Sequence, residues 1–212
     1  MKDSTIKILD ELIIRYPQLK GCKEDILKAF LVLKEAYDNK KKLLVCGNGG
    51  SAADSEHIVG ELMKRFRKER PLDKQIVNEL SKYGDEGMIL EKSLDEPIGA
   101  ISLTTHIALS TAFSNDNDPR TAFAQKLYGL GDSGDVLLSI STSGNSKNCV
   151  LAAILAKAMN IKTIALTGAK ESKLSEICDV TIRAPETEVY KVQELHLPIY
   201  HALCAMLEDE FF

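Results

Sequence analysis

The chain has 212 residues, 44% hydrophobic and 27% charged, with 27 Lys and Arg against 31 Asp and Glu for a net charge of −4. This excludes a disordered or collagen-like chain, and a chain of this length builds a core without disulfide or metal staples. The mildly acidic balance argues against a general nucleic-acid coat, and it gives a phosphorylated ligand no long-range attraction, so an anion site has to be built locally.

The N-terminal stretch MKDSTIKILDELIIRYPQL is amphipathic and acidic, unlike a secretory signal. Residues 4–16 and 24–39 carry apolar positions at helical spacing (Ile6, Leu9, Leu12, Ile13; then Ile26, Phe30, Leu31, Leu33, Tyr37), with Pro17 and Lys20-Gly21 between them. They predict a helical hairpin over residues 1–40, packed on the core and available for contacts between copies. From residue 41 the pattern changes. Leu43 to Cys46 is a short apolar run that stops at Gly47-Asn48-Gly49-Gly50-Ser51, and helical periodicity then resumes. Strand, glycine turn and helix open a βα unit.

The alternation recurs. AISL (100–103), DVLLSI (135–140), KTIALTG (162–168) and VTIRA (180–184) read as strands, with helices through Phe113, after the STSGNS loop, and from about Glu188 to Leu207. The expected fold is therefore α/β, a parallel sheet with helices on both faces in residues 41–212. Leu72 to Pro97, rich in Lys, Glu and Asp, reads as a partly helical insertion. The cysteines (Cys22, Cys46, Cys149, Cys178, Cys204) are odd in number and form no CxxC pair. They read as buried free thiols of a reducing compartment, which excludes a zinc ribbon. No apolar stretch approaches the ~20 residues of a membrane span, so the expectation is a cytoplasmic protein with no membrane or nucleic-acid partner.

Both polar loops lie where a strand ends and a helix begins. Glycines let backbone amides approach an anion, and the helix N-terminus adds partial positive charge. The first loop lacks GxGxxG spacing and the P-loop lysine, so dinucleotides and nucleoside triphosphates fit poorly. In the second, Ser141, Thr142, Ser143 and Ser146 offer more hydroxyls than an N-cap needs; one serine caps the helix and the others suit phosphate oxygens. Ligands of open α/β sheets bind beyond the carboxyl ends of the strands, so both loops are expected at one crevice, holding a small phosphorylated molecule.

Two further sets carry potential chemistry. His57 and Glu61 stand four apart on the helix behind the glycine loop, which suits a divalent metal or an acid/base pair. On the last helix Gln193 and His201 are about 80° apart around the axis, and His196 and His201 about 140°, so both histidines cannot enter one small site. Periodicity does not choose between them. His106 reads as a structural histidine near a strand end.

The segments CGNGGSAADSEHIVGEL, Ser114-Asn115-Asp116, GDVLLSISTSGNS and VQELHLPIYHALCAMLE together resemble the sugar isomerase (SIS) fold, a flavodoxin-like three-layer sandwich. More narrowly they resemble the phosphoheptose isomerases, over roughly Leu43 to Leu207 with 72–97 unmatched. The resemblance implies conversion of D-sedoheptulose 7-phosphate to D-glycero-D-manno-heptose 7-phosphate in nucleotide-activated heptose biosynthesis. It also implies a zinc ion on His57, Glu61, Gln193 and His201, with Glu61 as base and His201 as acid, and leaves His196 a supporting role. The implied substrate contacts are Asn48, Gly49, Gly50, Ser51, Glu61, Asn115, Asp116, Ser141, Thr142, Ser143, Ser146 and Gln193. The implied assembly is a homotetramer whose sites borrow residues from neighbours. Tyr190 stands where the family often has Asp, which with the insertion bears on the sugar accepted. The alternative readings are a non-catalytic SIS tetramer that binds the replication initiator or senses sugar phosphates, and an isomerase of another ketose phosphate.

Overall fold

The computed structural model describes all 212 residues. Helices α1 (Asp3–Arg15) and α2 (Lys23–Asp38) are joined by a 3-10 segment, Pro17–Cys22, and lead into β1 (Leu43–Gly47). There follow α3 (Gly50–Met63), α4 (Lys74–Leu80), α5 (Gly84–Ser93), β2 (Ala100–Ser102), α6 (Ile107–Asp116) and α7 (Ala122–Leu130). The second half holds β3 (Val136–Ile140), α8 (Lys147–Ala158), β4 (Lys162–Thr167), α9 (Lys173–Ile177), β5 (Val180–Arg183) and α10 (Val189–Phe211).

The five strands are all parallel, in the order β2-β1-β3-β4-β5. Alternate residues of each strand go to opposite faces, and both faces are dry. Leu43, Val45, Val136, Leu138, Ile164 and Ile182 pack against α1, α2, α3 and α10, whose Leu12, Phe30, Ile58 and Leu203 fill that core. Leu44, Cys46, Leu137 and Ala165 face the other way, onto Phe123 and Leu127 of α7, the alanines of α8, and Leu174. This is the three-layer arrangement expected from the strand–helix alternation. All five cysteines are free, and only Cys178 is not fully buried.

Helices α7 and α9 were not read from the sequence; α7 is nine residues and α9 five, too short for a 3.6-residue period to declare itself. The segment 72–97 forms α4 and α5, which pack on each other, and it is pinned at its base where Glu96 N–H donates to Arg70 O and Asp73 N–H to Glu96 Oε2. No helix is long and apolar enough to cross a membrane.

Candidate functional site

The chain runs outward in opposite directions from β1 and β3, so the sheet's switch point lies between their carboxyl ends. Both polar loops emerge there. Gly49 adopts φ +56°, and a side chain on Gly47 would strike the backbone of Ser51, so the turn into α3 needs glycine. Gly144, at φ +64°, packs against Ser172 where any β-carbon would collide. The two loops are joined by a reciprocal amide pair: Asn48 Nδ2 donates to Asn148 Oδ1 at 2.9 Å, and Asn148 Nδ2 to Asn48 Oδ1 at 2.8 Å. Asn148 had no motif to mark it.

Within the second loop Ser141 Oγ donates to Ser146 Oγ at 2.9 Å, and Ser143 Oγ accepts from Asn145 N–H at 3.2 Å. Ser146 occupies the N-cap position of α8, but its hydroxyl makes no bond to the helix amides. The expectation of a capping serine is corrected: the Ser146 hydroxyl accepts from Ser141 and from no helix amide, and in the first turn of α8 the Cys149 amide donates to Asn148 Oδ1 at 3.0 Å. Ser51 is buried in the first turn of α3, while Asn48, Gly49, Gly50 and Ser143 are exposed and Thr142 is half-buried.

Helices α3 and α10 lie side by side, which places two stretches of α10 against two of α3. Gln193 sits over Gly50, so closely that a methyl there would collide with its carboxamide. Further along, His57 Nε2 lies 3.2 Å from Glu61 Oε1 and 3.5 Å from His201 Nε2. His57 Nδ1 is 3.0 Å from the Tyr200 hydroxyl, which donates to Asp54 Oδ1 at 3.2 Å. The structure thus brings together His57, Glu61 and His201. It leaves Gln193 two turns earlier on α10, about 12 Å along the axis, with no hydrogen bond to the three, and no group of three or more such donors is closed into a formed metal site.

Burial lowers the pKa of His201, and the neighbouring His57 lowers it further, while Glu61 pulls the other way. Burial raises the Asp54 carboxyl against the opposing pull of the Tyr200 hydrogen bond. In chemical type these donors suit a zinc ion: bonds of about 2.0–2.1 Å in tetrahedral geometry would put ligand atoms roughly 3.4 Å apart, the scale of the His57–Glu61 and His57–His201 separations.

His196 is wholly buried; its Nε2 lies 3.2 Å from Thr167 O, and burial holds it down to about 4. It serves the core, away from His201. His106 is exposed and adopts φ +67° at the entry of α6, where its carbonyl accepts from Ser110 N–H and Oγ and its ring meets the Thr105 hydroxyl at 3.1 Å. Asn115 and Asp116 lie exposed at the end of α6, bonded to each other at 2.9 Å and not to the groups on α3 and α10. Tyr190 projects into solvent in the first turn of α10. Asp54 and Tyr200 were missed in the sequence, though Asp54 stands three residues before His57 on the same helical face and Tyr200 directly precedes His201.

Residues 18–168 match the SIS domain family. The phosphoheptose isomerase of a Nitratiruptor species is 36% identical over 186 residues, covering 88% of this chain and 86% of that one. Phosphoheptose isomerase 2 of Campylobacter jejuni is 38% identical over 187 residues, covering 88% and 81%. The solved structure of a phosphoheptose isomerase from Francisella tularensis superposes with a TM-score of 0.76 at 28% identity, over 98% of this chain and 94% of that one. With the sheet order, the two crevice loops and the α3–α10 pairing in place along the matched length, the chain belongs to the phosphoheptose isomerase family of SIS-domain proteins.

Proposed function

We propose that this protein is a phosphosugar ketose–aldose isomerase that converts D-sedoheptulose 7-phosphate to D-glycero-D-manno-heptose 7-phosphate for nucleotide-activated heptose biosynthesis. What supports the reading most is the meeting of His57, Glu61 and His201 beside a crevice with two helix N-termini. The Lys147 and Asn148 amides that open α8, with Ser141, Thr142, Ser143 and Ser146, suit the phosphate. Asn48, Gly49, Gly50, Ser51 and Gln193 line the way in, and Asn115 and Asp116 would read hydroxyls of the sugar.

Isomerisation moves a proton between adjacent carbons through an enediol. The Glu61 carboxylate takes the proton from C1 and returns it to C2. His201 protonates the C2 oxygen and receives the proton of the C1 hydroxyl, returning to its starting form. His57, Glu61 and His201, with Gln193 as the fourth donor that the resemblance implies, would hold a zinc ion, which would supply positive charge beside the developing enediolate oxygen. We further propose a homotetramer, because Asn115 and Asp116 reach no site group within one chain, and a cytoplasmic location, which five free thiols suit.

The test is turnover of sedoheptulose 7-phosphate by purified protein, with and without added zinc. Zinc-dependent formation of the aldose is expected. Glu61→Gln and His201→Ala are each expected to lose about 10²–10⁴-fold in kcat with substrate affinity far less changed. Tight binding without turnover would mark a sugar-phosphate sensor instead, and turnover of another ketose phosphate would correct the sugar.

A further inference from the structure

Two side chains that touch no part of the crevice determine what His57 presents to it. Tyr200 is buried, and its ring packs edge-on against both histidines, with centroids 5.6 Å from His57 and 5.0 Å from His201. Its hydroxyl stands between Asp54 Oδ1, at 3.2 Å, and His57 Nδ1, at 3.0 Å. The other Asp54 oxygen is buried with no partner, so Tyr200 is the one group bonded to that carboxylate.

A phenol has one proton to give, and a carboxylate only accepts. The Tyr200 proton therefore points at Asp54, and the phenol oxygen turns a lone pair toward His57. Nδ1 must carry the hydrogen that meets it. The lone pair of the neutral ring is then on Nε2, the atom that faces Glu61 and His201.

We propose that Asp54 and Tyr200 are positioning residues that hold His57 mainly in its Nδ1–H tautomer and aim its Nε2 lone pair at the site. The proposal rests on the reading of His57 as a zinc ligand, for which a neutral imidazole with its lone pair inward is the binding form. It also explains why a carboxylate is kept half-buried with a single partner: its use is to orient the phenol.

Two readouts test the proposal apart from catalysis. The first is the ¹⁵N imidazole spectrum of metal-free protein, at a pH above the ordinary imidazole range so that the ring is neutral. The Glu61 carboxylate, 3.2 Å from Nε2, draws the hydrogen the other way, so wild type is expected to show the Nδ1–H form of His57 as the major one, with a minor Nε2–H share. Tyr200→Phe, which keeps the ring and removes only the hydroxyl, is expected to raise that share. The second is zinc affinity by competition with a chromogenic chelator, where Tyr200→Phe and Asp54→Ala should each lose about 10–100-fold. Because both act through one chain of bonds, the double variant should bind zinc no more weakly than either single. Unchanged His57 tautomer in Tyr200→Phe, unchanged zinc affinity, or losses that add in the double variant would each overturn the proposal. Should Tyr200→Phe not fold, Asp54→Ala is read on the same two signals. A wild-type protein that binds no zinc would refute the zinc reading, while the tautomer signal would still judge the relay.

Discussion

Helices α10 and α6 both carry residues assigned to the candidate site, yet they are held in opposite ways. Through most of its 23 residues α10 is buried, with Ile199, Tyr200, Leu203 and Met206 in the larger core, so His201 inherits the precision of that packing. In α6 no residue is buried although half of the helix is apolar, and Ile107 is 79% exposed. What fixes α6 is its entry: buried Lys126 donates to Leu103 O at 2.7 Å and Thr105 O at 2.6 Å. One half of the site is thus preassembled by this chain's own core, and the other stands exposed on its surface.

The largest expected effect lies where α3 is fastened to α10. Arg70 and Glu208 form a wholly buried pair at 2.8 Å, and Glu208 also accepts the amides of Phe66, Arg67 and Lys68 at 2.8, 2.7 and 3.1 Å. Arg70 in turn donates to the carbonyls of Leu62 and Glu61 at the end of α3. Arg70→Met keeps the volume but leaves a buried charge and freed carbonyls, so about 3–5 kcal/mol of stability should be lost. Urea unfolding measures it, and a loss below about 1 kcal/mol would mean that the core alone fixes α3 and α10.

The same contrast explains what the sequence disclosed. The parallel sheet was legible because Val136–Ile140 and Thr163–Thr167 are buried on both faces and therefore read as short, mainly apolar runs rather than as alternation. His57 and Glu61 were legible because a four-residue spacing on a helix is a statement about one face. Asp54 and Tyr200 were not, since which atom a tyrosine hydroxyl meets depends on how α10 lies along α3, and that is set by long-range packing. Nor could spacing show that Gln193 would rest on Gly50, away from the histidines, or that α6 would stand clear of the core.

A smaller effect is expected from acid. Burial works to raise the Asp209 carboxyl, but bonds from Lys68, Ser4 and Thr5 outweigh it and hold the group at about 2. A folded-state pKa below the ordinary 3.8 means that the unfolded chain binds the proton more readily. The stabilisation is therefore complete above about pH 4 and is lost as pH falls through 3.8 toward 2. Asp209→Asn should lower stability by about 1–3 kcal/mol at neutral pH and flatten the fall between pH 4 and 2. Thermal melts across that range decide it; an unchanged acid slope would mean that α1 is held to α10 by its apolar face and by Glu210, not by this carboxylate.

The smallest effect on folding is expected at Ile107, and it tests the comparison most directly. Ile107→Ser alters a side chain with no buried neighbour to lose, so the single chain's stability should move by no more than about 0.5 kcal/mol. Where a second copy covers α6, the same change removes one buried isoleucine per contact, worth about 1.5–3 kcal/mol. Association should then weaken by roughly 10–100-fold, and activity should fall with dilution while wild type holds. Sedimentation velocity read beside turnover separates the cases. A chain that stays monomeric at assay concentrations with full activity in both forms would show that α6 needs no cover, and Asn115 and Asp116 would then have to be reached by closure of α6 within one chain.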